Sequence, residues 1–132
     1  MKVITVAYHN VDKPNHNHRY FSKAVLDAAL TKLCKESLYL VTKFDTTTGK
    51  IQPEDIVGKC IKSEWSKNNS VLTHTFHIPD DKAFLLRETY PCMFGIGECS
   101  VTSLDVVNVD NFVLHGFSLC KTCAWEADVK IE

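Results

Sequence analysis

Two runs of alternating apolar and polar residues, Ile56–Trp65 and Val71–Ile78, flank the polar turn Lys67-Asn68-Asn69-Ser70. Alternation is the two-residue period of a half-buried strand, and a short Asn-rich link lets the chain reverse on itself. The pair predicts an antiparallel hairpin, and the rest of the chain reads in the same style. Further strands are predicted at residues 2–8, Leu38–Thr42, Phe94–Leu104, Val106–Val109, Phe112–Cys120 and Ala127–Ile131. Two isolated helical patterns interrupt them. Ser22 is a suitable N-cap for a helix over about 23–35, whose apolar face is Val25, Leu26, Ala29, Leu30 and Leu33. Pro79-Asp80-Asp81 opens a second helix over about 81–90, with acidic residues at the positive end of its dipole and Pro91 as its stop. Asp45-Thr46-Thr47-Thr48-Gly49-Lys50 reads as a turn, and Tyr8 to Tyr20 as a polar loop punctuated by Pro14. Many short strands with two helices predict an α+β domain, a compact, mostly antiparallel β-barrel or sandwich with both helices at its periphery.

The chain has 132 residues, enough for one domain (1–132) with a real core, and 45% of them are hydrophobic, which argues against disorder. A formal charge of −1 gives no global field to attract nucleic acid or anionic lipid. No apolar run reaches membrane-spanning length, and the alternating start Met1 to Tyr8 does not read as a signal peptide. The expectation is a soluble protein made in the cytosol, with its six cysteines (Cys34, Cys60, Cys92, Cys99, Cys120 and Cys123) reduced and without nucleic-acid or membrane partners.

Five segments, taken in order, carry a family resemblance. Asn15-His16-Asn17-His18-Arg19-Tyr20 precedes the first helix. Ile56-Val57-Gly58-Lys59-Cys60 leads to Glu64-Trp65. Val71 to Ile78 runs into Pro79-Asp80. Phe94-Gly95-Ile96-Gly97 follows the second helix, and Val113-Leu114-His115-Gly116-Phe117-Ser118-Leu119-Cys120-Lys121-Thr122-Cys123-Ala124 approaches the end. Their order and spacing over residues 15–127 resemble the prohead (capsid maturation) proteases of tailed phages, which implies a prohead-protease-like barrel. The resemblance places the family's nucleophilic serine at Gly95 and its general-base histidine at Phe44, within Thr42-Lys43-Phe44-Asp45. Nucleophilic catalysis needs an activatable oxygen or sulfur within reach of a base. Glycine and phenylalanine provide neither, so no catalytic residue and no cofactor is assigned.

Other chemistries compete for the remaining residues. Cys92 and Cys99 flank the Gly95 segment, and either, paired with His74 or His77, would make a cysteine nucleophile. Cys99 shares Gly95's side of a regular strand but lies roughly 13 Å further along it. Cys120-Lys121-Thr122-Cys123 has the spacing of half a zinc site, for which Cys92 with Cys99, or His74 with His77, are candidate completing ligands, or of a redox pair. Plain packing is the competing reading of these cysteines. His9, His16 and His18 with their neighbouring asparagines read as a solvated loop that contacts another subunit or responds to acid, not as a nuclease motif. Trp65 and Trp125 read as packing anchors or interface residues.

The expected function is a non-catalytic phage structural protein: a capsid decoration, auxiliary or virion assembly component, found in the virion. Its expected partners are the major capsid protein, other virion proteins or further copies of itself. The alternatives are a divergent maturation protease with a cysteine nucleophile and a small zinc-binding host-takeover protein.

Overall fold

A computed structural model describes every residue except Thr102 and Leu104. Its strands are β1 (Lys2–His9), β2 (Arg19–Phe21), β3 (Leu38–Val41), β4 (Ile56–Trp65), β5 (Leu72–Ile78), β6 (Tyr90–Val101), β7 (Val107–Cys120) and β8 (Glu126–Ile131). The α-helix α1 spans Lys23–Leu30, and 3₁₀ helices follow at Thr31–Cys34, Pro53–Asp55 and Asp80–Leu86.

The β4–β5 hairpin forms as its alternation requires, with Trp65 opposite Leu72 and Lys59 opposite His77. Its turn rests on Asn68, whose side-chain oxygen accepts from the Ser66 and Ser70 hydroxyls, and on Asn69 in the left-handed region at φ 58°. The sheet grows outward from this hairpin. On one side β1 pairs antiparallel with β5 and β8 with β1; on the other, β3 pairs with β4 and β7 runs parallel to β3. β6 lies antiparallel along β7, and β2 adds in parallel at Val107–Val109.

The barrel does not close. Among the described residues β8 pairs with β1 and β6 with β7, and no ladder joins β8 to β6, so the sheet curls as a half-barrel. The first helix is properly capped, with Ser22 Oγ accepting from Val25 N–H at 3.2 Å, and it tightens to 3₁₀ geometry after Leu30. The expected second α-helix is instead the 3₁₀ helix Asp80–Leu86, and Pro91 lies inside β6. Among the described residues β6 has a ladder on one side only, and an edge strand tolerates a proline because the missing N–H need not serve a second neighbour. The two strands expected at Val106–Val109 and Phe112–Cys120 are one, β7. The polar Asp110-Asn111 pair imitates a turn, but it sits in the exposed part of the β6–β7 arm. The predicted strand end at Leu104 lies outside the described residues.

An aromatic cluster fills the hollow of the sheet. Tyr8 stacks on Trp125 with ring centroids 5.4 Å apart, and His74 packs edge-on to Tyr8 at 5.0 Å and to Phe117 at 4.9 Å. The Tyr8 hydroxyl donates to the Pro91 carbonyl, and burial raises its pKa well above the usual phenol value. His74 is fully buried with Nδ1 2.6 Å from Ser63 Oγ, and burial lowers its pKa to about 3. Trp65 anchors α1, its indole N–H donating to Asp27 at 2.7 Å.

The depressed His74 pKa makes stability depend on pH. The unfolded chain takes up a proton as pH falls below about 6.5, whereas the folded ring stays neutral down to about pH 3. Its contribution is therefore complete above pH 6.5 and declines on acidification, by at most about 1.4 kcal/mol per pH unit. Denaturant unfolding between pH 7 and pH 5, above the carboxylate range, should show this slope in the wild type and a flatter one in His74→Gln.

Candidate binding cleft

The polar loop after β1 is built around Asn15. Its side-chain oxygen accepts from Asn17 N–H at 2.9 Å and Arg19 N–H at 3.1 Å, and its backbone N–H donates to the Arg19 carbonyl at 2.8 Å. Asn15 is buried by this work, and His18, at φ 59°, turns the chain so that its carbonyl receives Val107 N–H at 2.8 Å. The result is strand β2, which sequence reasoning missed: three residues carry no readable period, and their partner lies some ninety positions away. The loop projects Asn17 and Arg19 into a cleft of about 390 Å³.

The opposite wall comes from the Asp45 turn and from β6. Asp45 accepts from Thr47 N–H at 2.8 Å and Thr48 N–H at 3.1 Å, and these bonds lower its pKa. Gly49, at φ 73°, lies so close to His115 that a Cβ would overlap the imidazole. The turn thus sets Phe44 flat on Phe94, with centroids 3.8 Å apart and planes 8° from parallel. Gly95 follows at the cleft wall. β7 carries an extra residue, His115, opposite this point: Phe94 faces Gly116 and Gly95 faces Leu114. A Cβ on Gly95 would overlap the Val113 carbonyl oxygen and stand 2.9 Å from the Phe112 ring. The backbone there is fitted to the absence of a side chain. Trp125 completes the floor, and the described lining carries one formal charge, on Arg19, and no carboxylate.

The structure therefore brings together Phe44, Gly95 and the Asn15–Arg19 segment, which the sequence placed far apart. It separates the other candidates. His74 and His77 project from opposite faces of β5, His74 into the core, so they do not form a ligand pair with Cys120 and Cys123. Among the described residues no group of three or more His, Cys, Asp or Glu is placed to hold a metal ion. For the cysteine-nucleophile alternative, His74 is engaged with Ser63, Cys99 is exposed on the β6–β7 arm, and Cys92 faces other cysteines. Among the described residues neither Cys92 nor Cys99 has a histidine as hydrogen-bond partner.

The curled sheet, the helix after a short parallel strand and the cleft at the start of β6 define a capsid-maturation-protease-like fold. The chain is similar to the bacteriophage T4 capsid assembly protease, gp21, with a TM-score of 0.62 over 87% of this chain and 79% of that one, at 16% sequence identity. No family model and no curated protein matches the sequence.

The close approach at Gly95 has a measurable consequence. Gly95→Ser, which would restore the hydroxyl the resemblance calls for, should lower stability by about 1–3 kcal/mol through overpacking. Phe44→Ala should open the cleft and cost roughly 0.5–1.5 kcal/mol for the lost aromatic pair, beyond its area burial. Denaturant midpoints of both variants check these values; a Gly95→Ser protein as stable as the wild type would show that the ladder yields easily at this point.

Proposed function

We propose that this chain is a non-catalytic phage protein, an auxiliary or assembly component of the capsid, that uses a protease-like frame to bind a capsid-protein segment. The observation that carries this reading is the Gly95 backbone, packed against the Val113 carbonyl where the resemblance calls for a nucleophile, beside a stacked phenylalanine where it calls for a base. A hydroxyl could not be supplied there by a simple side-chain change, because the space for its Cβ is already filled.

Binding needs less than catalysis, and the features that support binding remain. The outer edge of β6 is without a ladder among the described residues and begins at the cleft. An extended partner segment can add as a further strand along such an edge, with main-chain bonds giving affinity and the adjoining cleft choosing a side chain. Ile96 and Val101 on β6, at 56% and 75% exposure, and half-exposed Val113 on β7 offer apolar contacts along the arm. Capsid assembly is the setting named for the T4 protein. Carried over to this chain, it supports the major capsid protein as the first partner to test and the virion as the proposed location, with further copies of itself as a second kind of partner.

The test is to incubate the purified protein with the major capsid protein of the same phage and follow both binding and cleavage. Binding without new fragments is expected, weakened about tenfold or more by Arg19→Glu or Ile96→Asp, as for central contacts of an interface. Capsid-protein cleavage that disappears in Cys92→Ala or Cys99→Ala would sink the proposal in favour of a cysteine protease.

A further inference from the structure

Three of the six cysteines meet at one point, independently of the capsid-binding reading. Cys92 lies in β6, Cys120 ends β7, and Cys123 follows the Lys121-Thr122 reversal before β8. In the ladder Cys92 faces Ser118 and Tyr90 faces Cys120, which sets Cys92 and Cys120 diagonally on one face of the pair. The reversal then brings the next turn of chain back over Cys92, whose Sγ lies 3.7 Å from the Thr122 carbonyl oxygen and 3.5 Å from that of Tyr90. Cys120 Sγ is 3.4 Å from Ser118 Oγ. All three thiols are free and half-buried, whereas Cys34 and Cys99 are exposed.

The three thiols have unequal roles. Cys92 faces both members of the Cys-x-x-Cys pair and keeps its proton, its pKa raised chiefly by these two neighbours. The single Cys92 S–H favours the thiolate of whichever member it faces, lowering Cys120 to about 6 with help from Ser118 and lowering Cys123 as well, although a charged Cys120 opposes a second thiolate at Cys123. A thiolate reacts with disulfides where the thiol does not, and a second thiol beside it can close the ring.

We propose that Cys120 and Cys123 form a thiol–disulfide exchange pair whose substrates are low-molecular-weight disulfides, with Cys92 as the positioning residue that holds the pair ready. The Cys120 thiolate attacks one sulfur of R–S–S–R, forming Cys120–S–S–R and releasing R–S⁻. The Cys123 thiolate then attacks the Cys120 sulfur, closing the Cys120–Cys123 disulfide and releasing the second R–S⁻. The protein dithiol is oxidised by two electrons, the small disulfide is reduced to two thiols, and these take up the two protons the protein gives off.

The experiment treats reduced full-length protein with oxidised glutathione at pH 6, quenches with acid and maps the cysteines by peptide mass spectrometry. The expected product is an intramolecular Cys120–Cys123 disulfide, formed before exposed Cys34 or Cys99 reacts. Cys123→Ser should instead retain glutathione on Cys120. Cys92→Ala should move the pH midpoint of Cys120 alkylation from about 6 toward the ordinary thiol value of about 8.5. It should also slow exchange at pH 6 roughly tenfold, since the loss of thiolate outweighs the gain in nucleophilicity. Cys92→Ser keeps a donor at that position and should hold the midpoint near the wild-type value. A persistent glutathione adduct in the wild type, Cys120 reacting no faster than Cys34, or an alkylation profile unmoved by Cys92→Ala would each overturn the proposal.

Discussion

The hydrogen bond from the Tyr8 hydroxyl to the Pro91 carbonyl ties the two flanks of the half-barrel together. Tyr8 belongs to β1, which lies beside the β8 edge, whereas Pro91 belongs to the β6 edge. No backbone ladder joins these edges among the described residues, so a side chain crossing the hollow links them where a closed barrel would use main-chain bonds. The bond lies in an aromatic interior, where the phenol is buried and its alternative would be an unpaired hydroxyl and an unpaired carbonyl. Leaving either buried group without a partner costs about 1–3 kcal/mol. The curl of the sheet therefore follows from burial as much as from strand pairing, and the cleft is the space beside this tie.

The cleft shows how a site can be reshaped through the backbone as well as through side chains. Substituting one reactive residue would leave room for it to return. At Gly95 the ladder leaves no such room: β7 carries His115 as an extra residue, and the Val113 carbonyl occupies the place of a Cβ. Phe44 and Phe94 then cover the adjoining surface with a flat stack. These two features support each other, since the bulge that brings Val113 close also directs His115 toward the Asp45 turn that carries Phe44.

Local patterns in the sequence disclosed the parts of the fold that depend on local physics. The β4–β5 hairpin could be read because its alternation is regular, and α1 because Ser22 caps an apolar face. Asp110-Asn111 misled because a polar pair has the same composition in a turn as in an exposed arm. Pro91 misled because a proline that stops a helix is equally at home in an edge strand. The three-residue β2 and the half-barrel curl of the sheet depend on contacts distant in the chain, which no periodicity records. The site was legible in a similar proportion. Gly95 and Phe44 stood out through resemblance, and the structure sets both at one cleft. The structural role of Asn15 was hidden because an asparagine in a His-rich polar loop looks solvated, although an asparagine followed by a positive-φ position can organise a turn. Cys92 was weighed as a nucleophile, and its position beside Cys120 and Cys123 follows from β6–β7 pairing, which spacing alone does not reveal.

The thiol pair and the cleft share one short segment, which gives their proximity physical content. Residues 123–125 carry Cys123 at one end and Trp125 at the other, and Trp125 both stacks on Tyr8 and lines the cleft. Between them, the Ala124 carbonyl accepts the His16 N–H at 2.8 Å, which joins the segment to the loop that holds Asn17 and Arg19. A covalent bond from Cys123 to Cys120 would restrain this segment at the end of β7. The indole floor and the polar wall of the cleft both contact this segment directly. The Tyr8 ring stacked on the same indole, with its hydroxyl donating to the Pro91 carbonyl, joins this segment to the tie across the hollow.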